Sequence, residues 1–349
     1  MAMKQPLDRM LELLGEARRR GSSDLHLSPG APPMLRTAGR LESWGAPLTA
    51  AEAEAMILPL LGSGMETSLR EQGEADLAYE ADGTRFRLHA FRQRGGISLA
   101  ARVIPASVPS LEELGVPAVA REWAERRQGL LLVTGPTGSG KSSTLASLIG
   151  HINRTSSRHI VTLEDPVEYV HPHGKSLIDQ REVGVDTASF ESGLRAAMRE
   201  APDVILVGEM RDPETMAAAL TAAETGHLVL STLHTADAPQ TVDRIIDSFP
   251  ASRQGQIRSQ LASLLIAVQS QRLLRRADGT GRLCAAEIMV NTPAVANLIR
   301  TEKVHQLRSV MQTGRAQGMC TLEGSVRTLL QQGLADPAEA RAYLSERGE

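Results

Sequence analysis

The sequence predicts an α/β fold, in which a domain built on a parallel sheet follows a smaller α+β domain. The chain has 349 residues, which is longer than one ordinary domain and long enough for two. In its second part, short apolar runs alternate with helical patterns, which is typical of a parallel sheet covered by helices. The first hundred residues carry short alternating strands and turn residues instead, which is typical of an antiparallel sheet.

The composition is that of a globular protein. Apolar residues make up 42% of the chain and charged residues 23%. The net charge of −3 disfavours a protein that coats nucleic acid, so we expect no nucleic-acid partner. No apolar run approaches the roughly 20 residues that cross a bilayer, and the N-terminus lacks a signal-peptide core, so we expect a cytosolic protein. Cys284 and Cys320 are too few for a disulfide framework or a four-cysteine zinc site.

Helix and strand patterns alternate in the first hundred residues. Apolar positions at helical spacing predict a helix over 7–19, and Thr49 is a suitable N-cap for a helix over 51–61. Ala38 and Gly39 lie between two short strands and predict a hairpin. The predicted strands cover 24–28, 34–36, 41–44, 76–80, 85–91 and 97–104.

A proline-rich stretch separates the two parts of the chain. Pro105, Pro109 and Pro117 stiffen it, and it has no helical periodicity. We therefore predict an N-terminal domain over 1–103, a linker over 104–118 and a second domain over 119–349.

Four apolar runs in the second part predict strands that are buried on both faces. They cover 129–133, 159–163, 204–207 and 228–230. Helices are predicted over about 140–152, 189–199, 213–224 and 238–247. From about residue 252 to the end we predict a helical tail, interrupted by a hairpin between Leu273 and Met289.

A glycine-rich turn directly after the first of these strands is the strongest chemical signal. Residues 135–142, GPTGSGKS, match the phosphate-binding loop GxxxxGK[ST], and a helix is predicted to begin near Lys141. The glycines let successive N–H groups point at a β-phosphate, helped by the positive end of the helix. Lys141 would neutralise the β- and γ-phosphates, and the Ser142 hydroxyl would ligate Mg²⁺. We expect ATP and ADP to be bound by Gly135, Pro136, Thr137, Gly138, Ser139, Gly140, Lys141, Ser142 and Ser143.

Glu209 follows the strand over 204–207, at the carboxyl end where ligands of open α/β sheets bind. Beside a phosphate loop, it is a candidate general base for the water that attacks the γ-phosphate. Val207 and Gly208 occupy the position where such strands usually carry an Asp associated with Mg²⁺. We therefore expect the metal ion to be held through water.

Two further polar groups end strands of the same predicted sheet. Glu164 begins an acidic run in which Pro166 stops the strand. Strand order in such sheets places Glu164 near the γ-phosphate, where it would assist at the metal ion or the water. His234 follows the strand over 228–230 and is a candidate sensor of the γ-phosphate. A solvated turn and a structural histidine are the alternative interpretations.

Together, these four elements resemble the Walker A, Asp box, Walker B and His box of the secretion and type IV pilus motor ATPases. The resemblance covers nearly the whole chain. Residues 21–27, 32–33 and 39–41 resemble the PAS-like N-terminal domain of that family, and 104–115 resembles its interdomain linker. The resemblance implies a RecA-like P-loop ATPase domain in the second part and hydrolysis of ATP to ADP and phosphate.

The C-terminal part resembles the retraction branch of that family, which powers twitching motility. Pro293–Arg300 is similar to the AIRNLIRE motif associated with retraction, and 311–314 and 318–319 extend the match. Ala296 and Thr301 depart from the motif, where Arg and Glu are usual, so a principal motor and a divergent paralogue both remain open. Extension and type II secretion motors usually carry a four-cysteine metal insertion, which two cysteines cannot build.

The resemblance also implies partners and further site residues. It implies a homo-hexamer at the cytoplasmic face of the inner membrane, a membrane platform protein at the pilus base and a companion pilus motor ATPase. It assigns phosphate contacts to Arg87 and Arg102, because a guanidinium brought in by domain closure stabilises transition-state charge. Arg195 and Arg199 are further candidates near the subunit contact.

Three other functions remain open on the sequence alone. An extension or conjugative secretion ATPase shares the same ATP site. A nucleic-acid translocase shares the core fold, although the net charge and the scarce aromatic residues, 3% of the chain, disfavour it. The third alternative is a regulator that binds ATP without hydrolysing it. The presence of Lys141, Glu164, Glu209 and His234 together disfavours it, because such a regulator does not need the full set.

Overall fold

A computed structural model of the protein describes residues 5–37, 40–104, 107–279 and 281–344. Its backbone contacts divide the chain into two compact units, Met1–Ser107 and Val108–Glu349. Each unit has its own sheet and its own hydrophobic core. The boundary between the units falls inside the predicted linker, 104–118.

Among its described residues, the first unit contains a six-stranded antiparallel sheet and three α-helices. The strand order is β3-β2-β1-β6-β5-β4, so β1 and β6 lie at its centre. The helices are α1 (Pro6–Arg19), α2 (Ala50–Ile57) and α3 (Ser63–Glu71). The strands are β1 (Asp24–Leu27), β2 (Met34–Thr37), β3 (Arg40–Ser43), β4 (Glu74–Ala81), β5 (Thr84–Gln93) and β6 (Gly96–Val103).

Local sequence explains the first two helices. α1 buries one apolar face, which includes Met10 and Ala17. α2 begins with a capping box, in which the Thr49 hydroxyl accepts from the Glu52 N–H and the Glu52 carboxylate accepts from the Thr49 N–H. The predicted helix over 51–61 ends early, because a 3-10 turn (Leu58–Leu60) follows α2. The predicted hairpin residues Ala38 and Gly39 lie outside the described residues.

The second unit contains a seven-stranded sheet covered by helices. Its strands are β7 (Gly129–Thr134), β8 (His159–Glu164), β9 (Leu177–Glu182), β10 (Val204–Val207), β11 (Leu228–Leu233), β12 (Leu265–Arg275) and β13 (Arg282–Val290). The helices are α4 (Val119–Ala124), α5 (Lys141–Thr155), α6 (Phe190–Ala197), α7 (Pro213–Glu224), α8 (Ala238–Asp247), α9 (Ala251–Leu264), α10 (Pro293–Arg300), α11 (Leu307–Thr313), α12 (Leu322–Gln331) and α13 (Pro337–Ala340).

The strand order of this sheet brings the predicted motifs to one edge. The order is β13-β12-β7-β11-β10-β8-β9, and every neighbouring pair is parallel except β12 with β13. All residues of β7, β10 and β11 are buried, as expected of strands covered on both faces. The carboxyl ends of β7, β11, β10 and β8 therefore lie side by side.

The predicted helical tail is wrong over residues 265–272. These residues form most of β12, which pairs with β7 in the main sheet. The run Leu265–Val268 is apolar and continues directly from α9, and periodicity cannot distinguish a short buried strand from a buried helix. The sequence patterns also missed β9 and the short helices α3 and α4.

Part of the predicted linker packs inside the second unit. Leu111 and Val116 lie in one of its cores, 3% and 7% exposed. The Ser147 hydroxyl, on α5, donates a hydrogen bond to the Pro109 carbonyl. Pro105 lies outside the described residues. A linker role for 104–118 stays a prediction.

Within the described ranges, no helix is both long enough and apolar enough to cross a membrane.

Candidate active site at the carboxyl edge of the sheet

The predicted phosphate loop connects β7 to α5. Gly135, Gly138 and Gly140 have φ angles of +142°, +78° and +85°, a region that residues with a side chain rarely adopt. α5 begins at Lys141, so its unpaired N–H groups face the loop. Curled backbone and a helix N-terminus together form the kind of cradle that binds phosphate.

Lys141 is buried in this cradle. The residue is 8% exposed, and its Nζ donates to the carbonyl oxygens of Gly135 at 2.9 Å and Pro136 at 3.0 Å. Burial lowers the pKa of the Lys141 ammonium, and the nearby carboxylates of Glu209 and Glu168 partly offset that effect. The electrostatic influence of Glu209 on Lys141 links the phosphate loop to the predicted base.

The two serines after Lys141 differ in their surroundings. Ser142 is exposed in the first turn of α5, where its hydroxyl is accessible to a metal ion bound with a nucleotide. The Ser143 hydroxyl lies 2.8 Å from the Tyr169 hydroxyl instead. Ser142 therefore suits the predicted metal contact, and Ser143 contacts the loop that follows β8.

Glu209 lies directly after β10, on a turn held to both neighbouring strands. The Gly208 N–H donates to Leu163 O at 2.8 Å, and the Thr232 hydroxyl donates to Gly208 O at 2.7 Å. Oε2 of Glu209 lies 3.3 Å from His234 Nε2, and Oε1 lies 2.5 Å from Nη2 of Arg211. The structure thus brings the predicted base and the predicted sensor histidine into contact.

Glu164 ends β8 and is half-buried. Its Oε1 accepts from the Thr162 hydroxyl at 2.7 Å and from Gln180 Nε2 at 3.1 Å. Burial raises the pKa of the Glu164 carboxyl, and these two hydrogen bonds reduce the rise. Gln180 also donates to Tyr169 O at 2.8 Å, so it fixes the loop after β8 relative to Glu164.

The predicted arginines belong to other elements of the chain. Arg87 and Arg102 are exposed residues of the first unit and lie opposite each other on β5 and β6. Arg102 Nε donates to an Asp24 carboxylate oxygen at 3.0 Å. Arg195 and Arg199 are exposed on and just after α6, and Arg195 pairs with Glu191 at 2.7 Å. Roles for these four arginines at a nucleotide stay predictions.

Several residues that contact the site were missed by sequence reasoning. Arg211 and Gln180 contact the carboxylates of Glu209 and Glu164, as described above. Gln271, on β12, donates from Nε2 to Ser139 O at 2.6 Å inside the phosphate loop. Polar residues buried in a strand are a signal for such contacts, but β12 itself was predicted to be helical.

The residues similar to the retraction motif form α10. Thr292 caps this helix by accepting from the Val295 N–H at 3.3 Å. Ala296, where the motif usually has Arg, is 7% exposed and belongs to the core of the second unit. A small apolar side chain therefore suits this position, because an Arg there would need to reach solvent from the core.

Comparison with known proteins identifies the family of the chain. A family model described as Type II/IV secretion system protein matches residues 4–340. The chain is 47% identical over 332 residues to the Type IV pilus retractation ATPase PilT of Pseudomonas aeruginosa, which covers 95% of this chain and 96% of that protein. It is 40% identical over 338 residues to the Type IV pilus ATPase PilU of the same organism. That alignment covers 96% of this chain and 88% of PilU.

A solved structure agrees with the fold. The crystal structure of the pilus retraction motor PilT with bound ADP is 44% identical, covers 97% of each chain and superposes with a TM-score of 0.90. These matches confirm the predicted α/β fold class with its P-loop ATPase domain. The chain belongs to the Type II/IV secretion system protein family and is one of its nucleotide-binding ATPases.

Proposed function

We propose that this ATPase drives the retraction of a type IV pilus, the function for which its relative PilT is named. The identity to PilT extends over 95% of this chain, so it includes both units and not only the phosphate loop. That identity over nearly the whole of the given chain is the observation that carries the proposal. The identity of 47% to PilT against 40% to PilU favours the principal retraction motor over the second ATPase.

Mg-ATP is the substrate in this proposal. Among the described residues, no group of three or more His, Cys, Asp or Glu side chains could hold a metal ion by itself. Mg²⁺ is usually bound by one or two protein oxygens, with substrate phosphates and water as the other ligands. The exposed Ser142 hydroxyl fits a direct contact, and Glu164 fits a contact through water. When bound with the nucleotide, Mg²⁺ would neutralise charge on the β- and γ-phosphates.

The residues at the strand ends have different roles in hydrolysis. Lys141 and the loop N–H groups hold the β- and γ-phosphates. Glu209 orients the attacking water and accepts its proton. His234 contacts Glu209 and responds to the γ-phosphate. Through this response it couples the presence of the γ-phosphate to the segment that leads into α8. Each role needs only residues that the fold already brings to one edge of the sheet.

The motor itself is proposed to be a homo-hexamer at the cytoplasmic face of the inner membrane. Arg87 and Arg102 would contact the phosphates in the assembled ring. Support comes from their arrangement, since two exposed arginines adjacent on paired strands can act on one anion together. The ring would act on a membrane platform protein at the pilus base, with a companion ATPase of the PilU kind.

The test is to delete the gene that encodes this protein in the bacterium that carries it. Cells that extend pili but cannot retract them accumulate surface pilin and lose twitching motility. We expect this phenotype in the deletion strain and its reversal by the wild-type chain. Glu209→Gln is expected not to reverse it. Glu214→Gln, at an exposed position of α7, is the matched control and is expected to reverse it.

Other outcomes would assign a different function. Loss of surface pili in the deletion strain would indicate an extension ATPase. Unchanged pili and motility, with turnover of the purified protein stimulated by DNA, would indicate a nucleic-acid translocase.

A further inference from the structure

The phosphate loop is supported by a strand outside the four sequence motifs. β12 lies next to β7, and three consecutive residues of β12, Gln269, Ser270 and Gln271, are each 1% exposed. Polar side chains buried this deeply need hydrogen-bond partners. Ser270 pairs with the Thr134 hydroxyl at 2.7 Å, whereas Gln271 faces the loop.

Gln271 contacts both ends of the loop and the helix that follows it. Its Nε2 donates to Ser139 O at 2.6 Å, and its Oε1 accepts from the Thr144 hydroxyl at 3.1 Å in the first turn of α5. Its backbone oxygen lies so close to Gly135 that a Cβ there would come within 2.5 Å of it. A single residue of β12 thus determines how closely the whole loop can approach the strand.

The orientation of the Gln271 amide is determined by its neighbours. Gln269 Nε2 donates to Gln271 Oε1 at 3.2 Å, so this oxygen accepts from both Gln269 and Thr144. Nε2 of Gln271 must then face the loop as a donor. The amide is buried and oriented before any ligand binds.

This contact sets the direction of an N–H group in the loop. In a trans peptide the C=O and the next N–H point in opposite directions. Because Gln271 holds the Ser139 carbonyl toward β12, the Gly140 N–H points away from β12. Gly140 also lies close to the amide, since a Cβ on it would come within 3.2 Å of Gln271 Nε2.

We propose that Gln271 is a positioning residue for nucleotide binding, which acts by holding Ser139 O so that the Gly140 N–H faces the phosphates. It contacts the loop and not the nucleotide. The inference rests on the nucleotide site of the proposed function, and it assigns a role to a residue outside the family motifs.

The first test compares Gln271→Met with Ser270→Ala. Met has a similar length and is apolar, so it removes the donor to Ser139 O. We expect the Kd for a fluorescent N-methylanthraniloyl-ADP probe to rise about tenfold or more. The KM for ATP is expected to rise more than kcat falls, because loop N–H groups contact phosphate in the ground state and the transition state alike. Ser270→Ala removes an equally buried hydrogen bond of the same strand and is expected to leave the Kd unchanged.

A second variant isolates the donor. Gln271→Glu still accepts from Gln269 and Thr144, but at a pH high enough to ionise this buried carboxyl it cannot donate to Ser139 O. We expect Gln271→Glu to weaken binding of the ADP probe as much as Gln271→Met does. If Gln271→Met does not fold, Gln271→Glu alone decides whether the donor to Ser139 O is needed for binding. Melting temperatures of all variants are measured without nucleotide.

The proposal is overturned if a folded Gln271 variant binds the probe as the wild type does. It is also overturned if Ser270→Ala weakens binding equally, because the effect would then be general loss of packing in β12. Failure of the wild-type chain to bind ADP would instead refute the nucleotide site.

Discussion

Glu209 lies between Arg211 and His234, whose side chains are much more exposed than its own. Its side chain is 14% exposed, against 70% for Arg211 and 49% for His234. Exposed ion pairs are weak and exchange readily with water. We infer that Arg211 and His234 can turn toward the charge of a substrate while Glu209 keeps its place on the turn after β10.

The first residue-scale prediction concerns Glu209→Gln. The variant keeps the size of the side chain and removes its ability to accept a proton. We expect kcat for ATP to fall on the order of a hundredfold to ten-thousandfold, with the Kd for ADP unchanged. Phosphate release and ADP titration are the measurements. Glu214→Gln serves as the control, and a Glu209→Gln protein with normal turnover would remove Glu209 as the base.

The second prediction concerns the free energy that burial of Glu164 costs. Burial raises the pKa of this carboxyl above its ordinary value of 4.5. The folded protein therefore loses stability as the pH rises from 4.5 through the folded-state pKa. Glu164→Gln removes that loss, so we expect the free energy of unfolding near neutral pH to increase.

The pH dependence makes this prediction specific to Glu164. The advantage of Glu164→Gln is expected to shrink as the pH falls toward 4.5, where the wild-type carboxyl binds its proton. Urea denaturation without nucleotide at several pH values measures it. Glu200→Gln, at an exposed residue paired with Arg181, is expected to change stability little at any pH. A loss of stability in Glu164→Gln would show that its hydrogen bonds outweigh its burial.

At the scale of elements, the phosphate loop and β12 are so close that only glycine fits at the start of the loop. A Cβ at Gly135 would lie 2.5 Å from Gln271 O and 2.6 Å from the Ser139 hydroxyl. The backbone of β12, which is paired on both sides, cannot move away without breaking its pairing with β7. The third prediction follows from this contact.

We expect Gly135→Ala to lower the free energy of unfolding by about 2 kcal/mol more than a glycine replacement without a clash does. Gly184→Ala provides that comparison, because Gly184 also has a positive φ, +84°, but no atom lies within 4 Å of the added Cβ. In Gly184→Ala, the loss of stability comes from the backbone strain alone, about 1 kcal/mol. Urea denaturation measures both, and equal losses would contradict the close packing of the loop against β12.

At the scale of the whole molecule, the chain consists of two units whose chemistry differs. The second unit, Val108–Glu349, holds Lys141, Glu209 and His234 on its own sheet edge. The first unit, Met1–Ser107, carries Arg87 and Arg102 opposite each other on β5 and β6. In the proposed ring, nucleotide binding depends mainly on the second unit, whereas turnover depends on both.

The fourth prediction separates these two contributions. We expect Arg87→Ala to keep the Kd for ADP and to lower kcat by about a hundredfold or more, since a guanidinium acts mainly on transition-state charge. Turnover per chain of the wild type is expected to rise with protein concentration as rings assemble. Arg70→Ala, at an exposed residue of α3 in the same unit, is the control. Turnover that is independent of both Arg87 and concentration would leave an ATPase but refute the ring mechanism.

The sequence by itself determined the local parts of this protein. Short-range patterns sufficed for the phosphate loop, for Glu209 after an apolar strand and for the capped start of α2, because glycine spacing, burial on both faces and capping act between residues close in the chain. Family resemblance then supplied the activity, which no local pattern contains.

Only the tertiary structure decided which strands lie beside the loop. β12 is 130 or so residues from the loop in sequence, and its pairing with β7 turns residues 265–272 into a strand and buries Gln271 against Ser139. The contact of Glu209 with His234 arises in the same way, because β10 and β11 are adjacent in the sheet. Such pairings depend on how the helices and strands of the second unit fill a common core, and no window of local sequence encodes them.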